Sequence, residues 1–198
     1  MKRFSVGKFG VEPRWHSANG LRVRGLSGDM AEWLYDSESL TKRLRQAGRG
    51  NFRVQLLRQQ LERPLLCERR ELGLNDRAYA LVRQVHLYCA DELVVYARTV
   101  MPLSVLRGRS CALARLGGKP LGEMLFRDKS MCRSPMEIAG IEKSDLFYRW
   151  AVPDGYMSQR QVWGRRSVFR LSGKSLLVNE IFLPPLPNNT RFRIKRKD

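Results

Sequence analysis

Three observations predict an α+β domain with a mainly antiparallel sheet. Several short runs alternate apolar and polar residues with a period of two and follow one another through turn-forming residues, as strands of a meander do. Helical spacing is confined to separate short segments and never alternates with strands in a βαβ rhythm. No repeat, low-complexity tract or linker divides the 198 residues, which suffice for one domain with a real core.

In chain order, residues 1–28 mix Gly, Pro and Arg without a sustained period and read as an irregular arm, with a short strand expected at Leu21 to Val23. Asp29 followed by Glu32 predicts a helix start, with Met30, Trp33 and Leu34 at helical spacing. A second helix is expected from Ser39, with Leu40 and Leu44 one turn apart and Gly48 as its stop. Leu40 therefore stands at a helix N-terminus, where free N–H groups suit a carboxylate. Phe52 to Leu56 alternates as a first strand, and Arg63-Pro64 closes that segment. Leu81 to Leu87 is a strand with Arg83 in the middle of an apolar face. Leu93 to Met101 is its hairpin partner, on which Arg98 shares a face with Val94, Tyr96 and Val100.

Ser110 to Leu116 reads as a short helix ended by Gly117-Gly118, and Pro120 opens another through Phe126. Glycines beside Leu121 allow a ligand to approach the backbone. Met136 to Ile138 is a further strand, and residues 142–161 form a mixed loop rich in aromatics. Two β-rich runs, Val162 to Leu171 and Ser175 to Leu183, then flank a turn at Ser172-Gly173-Lys174. The domain is expected to span residues 29–187, and the basic tail 188–198 to be disordered.

The 37 basic against 19 acidic residues give a formal charge of +18, which favours an anionic partner: a small dianion, nucleic acid or a membrane surface. Nucleic acid is disfavoured because no helix-turn-helix, zinc module or aromatic RNA-binding strand accompanies the charge, so Arg165-Arg166 read as a solvated face. Gly173-Lys174-Ser175 lacks the upstream glycine of a phosphate loop, since Val168 stands there. The four cysteines, Cys67, Cys89, Cys111 and Cys132, and the two histidines form no ligand-like spacing, which implies no metal site and free thiols in a reducing cytoplasm. No apolar run reaches the ~18 residues of a membrane span, and the N-terminus has no secretory core, so neither insertion nor secretion is expected.

The second β-rich run puts Leu176, Val178, Glu180 and Phe182 on one face. A carboxylate among core residues needs a cation, hydrogen-bond donors or a ligand. Arg83 and Glu180 thus form either a buried structural ion pair or a pocket in which the arginine fork holds a carboxylate and the glutamate meets a hydroxyl or a proton. Arg98, on a similarly patterned strand, is the natural second cation.

Trp163 to Ser167 (WGRRS), Leu171 to Lys174 (LSGK) and Asn179 to Pro184 (NEIFLP) closely resemble the C-terminal signature of the bacterial chorismate lyase family. The resemblance extends through Leu116-Gly117, Pro120 to Gly122, Cys89 to Asp91, Arg98 to Val100 with Pro102, and Leu40 to Arg43, and covers the chain from about Trp33 to Pro187. It implies an antiparallel sheet with helices packed on one side and a buried ligand site under helical flaps. It also implies a cofactor-independent carbon–oxygen lyase that converts chorismate to 4-hydroxybenzoate and pyruvate for ubiquinone-type rings. The family's product-binding arginine falls on Arg83, its acidic residue on Glu180, and its two flap residues on Leu40, where a relative has methionine, and Leu121. The expected protein is a cytoplasmic monomer that uses Arg83 and Glu180 in catalysis and Leu40, Leu121 and Arg98 in substrate binding. The alternative is a non-catalytic aromatic-acid effector domain of the same fold. The long loop 142–161 and the basic arm and tail depart from the family pattern.

Overall fold

The computed structural model describes residues 10–18, 26–156 and 159–187. Eight strands, β1 (His16–Ser17), β2 (Phe52–Glu62), β3 (Ala80–Cys89), β4 (Glu92–Pro102), β5 (Cys132–Arg133), β6 (Glu137–Glu142), β7 (Gln161–Leu171) and β8 (Lys174–Phe182), form one sheet. Its order is β1-β6-β7-β8-β4-β3-β2, with β5 also paired to β7. All of these pairings are antiparallel. The expected strand at Leu21 to Val23 and the expected disorder of 188–198 lie outside the described residues.

Tight turns set the registers. Ala90 and Asp91 take positive φ, 50° and 68°, at the β3 to β4 turn. Ser172 and Gly173 do so at the β7 to β8 turn, with 47° and 77°. That turn has two residues, not the expected three, because Lys174 already pairs with Leu171. The change matters: Arg165, and not Arg166, stands opposite Glu180.

The strand expected at Phe52 to Leu56 continues to Glu62. Its register shifts between Leu56 and Arg58, so Gln59 and Leu61 take over the face that Val54 and Leu56 held, and the visible alternation breaks there.

Five helices, α1 (Gly28–Leu34), α2 (Leu40–Ala47), α3 (Leu66–Glu71), α4 (Leu121–Arg127) and α5 (Leu146–Ala151), and a 3-10 helix at Gly108–Arg115 cover the sheet. α1 starts one step before the expected Asp29, since Ser27 is the cap whose hydroxyl accepts from Met30 N–H. Ser39 does the same for α2 through Lys42 N–H. Met30, Trp33, Leu34 and Leu44 pack on Val85, Leu87, Val95 and Phe182 of one sheet face. Farther along that face, Leu113, Leu116, Leu121 and Leu125 meet Met101, Phe169, Leu171 and Leu176. These are the helices expected on one side.

The opposite face carries two further, six-residue helices. α5, inside the segment read as a mixed loop, packs Phe147 and Tyr148 on Tyr96, Val162 and Ile181. α3 was not expected because its centre is charged, and Glu68 and Arg69 are both buried. Residues of the arm tie down both helices. Glu12 accepts from Leu66 and Cys67 N–H at the start of α3, and Val11 C=O accepts from Leu146 N–H at the start of α5.

Candidate active site between the sheet and two helices

Strand alternation places Arg83 of β3, Thr99 of β4, Val178 and Glu180 of β8, and Arg165 and Ser167 of β7 on the same face of the sheet. A pocket opens over this row. Its roof comes from Leu40 and Thr41, at the start of α2, and from Leu121, Gly122 and Leu125 of α4. The two helices touch closely: a Cβ on Gly122 would lie 2.9 Å from Thr41 Oγ1 and 3.3 Å from Ser39 Oγ. Glycine is what allows the roof to shut. Leu40 and Leu121, the expected flap residues, line this roof, each as the first residue of its helix.

Arg83 is 2 % exposed and has no carboxylate within salt-bridge distance among the described residues. Its Nε and Nη2 donate to Gly117 C=O at 3.3 and 2.8 Å, and Nη2 also donates to Lys119 C=O at 2.9 Å. Carbonyl dipoles aim the guanidinium without neutralising it. Nη1 has no acceptor among the described residues. Burial alone lowers the pKa of this arginine to about 10. A buried cation held in this way is a site for an anion.

Glu180 does not neutralise Arg83, so the structural ion pair considered from the sequence is not formed. Its partner is Arg165, whose Nε donates to Glu180 Oε2 at 2.6 Å. Arg165 is 1 % exposed, and its Nη1 donates to Trp33 C=O and Asp36 C=O at the end of α1. It fastens the α1 end to the pocket floor. The expectation of a solvated Arg165-Arg166 face is corrected, since both are buried. The signal was present in the turn: a two-residue turn at Ser172-Gly173 puts 165 opposite 180.

Arg98 is the second correction. In the antiparallel ladder it stands opposite Gln84 and Asn179, one residue out of phase with Arg83 and Glu180, and so faces away from the pocket. There its guanidinium forks onto Glu68 of α3 at 2.8 and 3.0 Å and reaches Glu62 at 2.9 Å. Arg166, on the same face, bonds Glu71 and Glu137. These pairs staple α3 and the sheet together and leave Arg98 1 % exposed. Besides Arg165, the sequence reading missed a further cation that lines the pocket, Arg133 of β5, beside Phe169 and Ser167.

Residues 12–192 match the family model described as chorismate lyase. The chain belongs to the chorismate lyase family. Proteins named probable chorismate pyruvate-lyase from Methylococcus capsulatus and Methylobacillus flagellatus are 41% and 40% identical to it, over 78% and 77% of this chain and 94% and 85% of theirs. The namesake from Nitrosospira multiformis is 33% identical over 87% of this chain and 93% of its own. Among solved structures, the ligand-binding domain of a putative GntR-family regulator from Bordetella bronchiseptica matches with a TM-score of 0.52 at 17% identity, covering 71% of this chain and 91% of that one. A GntR-family regulator from Bacillus cereus gives 0.51 at 12% identity, over 70% and 96%. These two matches, both below 25% identity, show the fold that the chain shares with them. No helix among the described residues is long and apolar enough to cross a membrane.

Proposed function

We propose that the chain is a chorismate pyruvate-lyase that releases 4-hydroxybenzoate and pyruvate. The observation that carries this reading is Arg83: buried, without a carboxylate at salt-bridge distance among the described residues, and facing a pocket that also holds the Arg165-paired Glu180. The ring carboxylate of chorismate lies against the Arg83 fork, close to the backbone at Leu121 and Leu40, and Glu180 accepts a hydrogen bond from the ring hydroxyl. Breaking the ether C–O bond expels the side chain as the enolate of pyruvate. The proton on the hydroxyl-bearing ring carbon leaves, the ring becomes aromatic, and the enolate gains a proton on its methylene carbon to give pyruvate. Aromatisation drives the step, so the protein supplies orientation and charge placement more than a nucleophile.

The proposed reaction uses no metal and no organic cofactor. The product suits a pathway that builds ubiquinone-type rings. Incubating purified protein with chorismate in the presence of EDTA tests the reading. Equal amounts of 4-hydroxybenzoate and pyruvate are expected; 4-hydroxybenzoate binding without turnover would point to an aromatic-acid binding domain instead.

A further inference from the structure

Chorismate carries a second carboxylate, on the departing side chain, and Arg98 is unable to meet it from the far side of the sheet. We propose that Arg133 is the specificity residue for that side-chain carboxylate, a role that rests on the lyase reading above. Arg133 pairs across to Phe169, so its side chain stands on the pocket face with Ser167 and Arg165. Its Nε donates to Ser167 Oγ at 3.0 Å, its Nη1 donates to Ser37 C=O at 2.9 Å, and its guanidinium covers the Phe169 ring at 5.1 Å. Three contacts thus fix the plane of the group. Nη2 has no acceptor, and no carboxylate lies within salt-bridge distance of Arg133, among the described residues.

Of the three arginines that line the pocket, Arg165 is paired with Glu180, whereas among the described residues Arg83 and Arg133 have no carboxylate within salt-bridge distance. They stand at opposite ends of the row. From β3 to β5 the order runs through β4, β8 and β7, four spacings or ~19 Å between strand axes, and both side chains line the pocket between. Arg133 belongs to the Glu180 end, since its charge interacts with Glu180 and Arg165. That order matches the substrate. Its ring carboxylate is at one end, and its hydroxyl and ether-linked carboxylate are on adjacent carbons at the other. A pocket built for a single carboxylate has no use for a second, half-buried cation held in a fixed plane. A dianion satisfies both.

The product lacks the side chain, which makes the role separable. The test uses Arg133→Gln and Arg133→Lys, checked for folding by circular dichroism and thermal melting. It measures steady-state turnover of chorismate and direct binding of two unreactive probes: benzoate and a benzoate bearing a meta carboxymethoxy ether. Arg133→Gln is expected to raise KM for chorismate at least tenfold and to abolish the preference for the two-carboxylate probe. Binding of benzoate and 4-hydroxybenzoate should stay within twofold of wild type, and Arg133→Lys should recover part of the preference. An unchanged KM, or equal losses for both probes, overturns the proposal while leaving the lyase reading intact. A wild-type protein that makes no pyruvate overturns both. If the glutamine variant does not fold, the lysine variant decides: it must discriminate less between the probes than wild type, or the proposal fails.

Discussion

In the proposed reaction Arg83 and Glu180 act through different physical features, and substitutions should separate them. Arg83 combines charge with a plane set by two loop carbonyls. Arg83→Ala should weaken 4-hydroxybenzoate by ~2–5 kcal/mol. Arg83→Lys should rescue poorly, because a point charge does not reproduce a fork. Glu180→Gln should lower kcat more than it weakens the product, as calorimetry beside steady-state kinetics will show. A second outcome follows from burial, which brings the pKa of Arg83 down to about 10. Benzoate, whose carboxylate does not titrate in that range, should bind with a Kd that rises about tenfold per pH unit above 10 as the guanidinium loses its proton. The sign for stability is opposite. Above pH 10 the unfolded chain holds that proton and the folded one does not, so this group favours folding more as the pH rises. A flat benzoate affinity through that range would remove Arg83 from the site.

Among the elements, the α2 and α4 contact and the α3 staple make separate predictions. Gly122→Ala forces a Cβ against Thr41 and Ser39, and should part the roof, with a cost of ~1–3 kcal/mol in stability and faster product dissociation in stopped-flow. Glu68→Ala leaves Arg98 buried beside Glu62 alone and should lower stability by ~3–5 kcal/mol, whereas an apolar pair at both positions, Arg98→Met with Glu68→Leu, should restore much of it. In either folded variant KM for chorismate should be unchanged, because the cluster lies behind the sheet. A raised KM would return Arg98 to the pocket. The sequence exposed the pocket strands because alternation is visible wherever one face is apolar: Arg83 and Glu180 stood out as charges among Leu and Val. It hid Arg98, because β4 is buried on both faces and both phases look apolar. It hid α3 and α5 because six residues are too few to show a helical period, and α3 buries Glu68 and Arg69 where apolar residues would have marked an inward face. Arg165 was obscured by one residue of turn length, and Arg133 sits in a two-residue strand with no pattern to read.

At the scale of the whole molecule, the charge of +18 sets how a dianion arrives. The segment 103–131, which includes α4, carries six Lys or Arg against Glu123 and Asp128, a net of +4, and α2 adds Lys42 and Arg45. Raising sodium chloride should therefore lower kcat/KM for chorismate while kcat holds nearly steady, since screening weakens capture and not the enclosed step. A salt-independent kcat/KM would show that capture owes nothing to this field. The two-residue turn at Ser172-Gly173 has a consequence for how such a protein can vary. Glu180 looks into the pocket and Asn179 looks behind the sheet, while Arg165 and Arg166 divide in the same way, so the two compartments are written in alternate letters of one hairpin. Point substitutions can alter one compartment and spare the other. The loss or gain of a single codon in that turn would instead transpose them, presenting Asn179 to the substrate and Glu180 to Glu68. Inheritance along this hairpin can tolerate misspelling far better than a shift of frame in space.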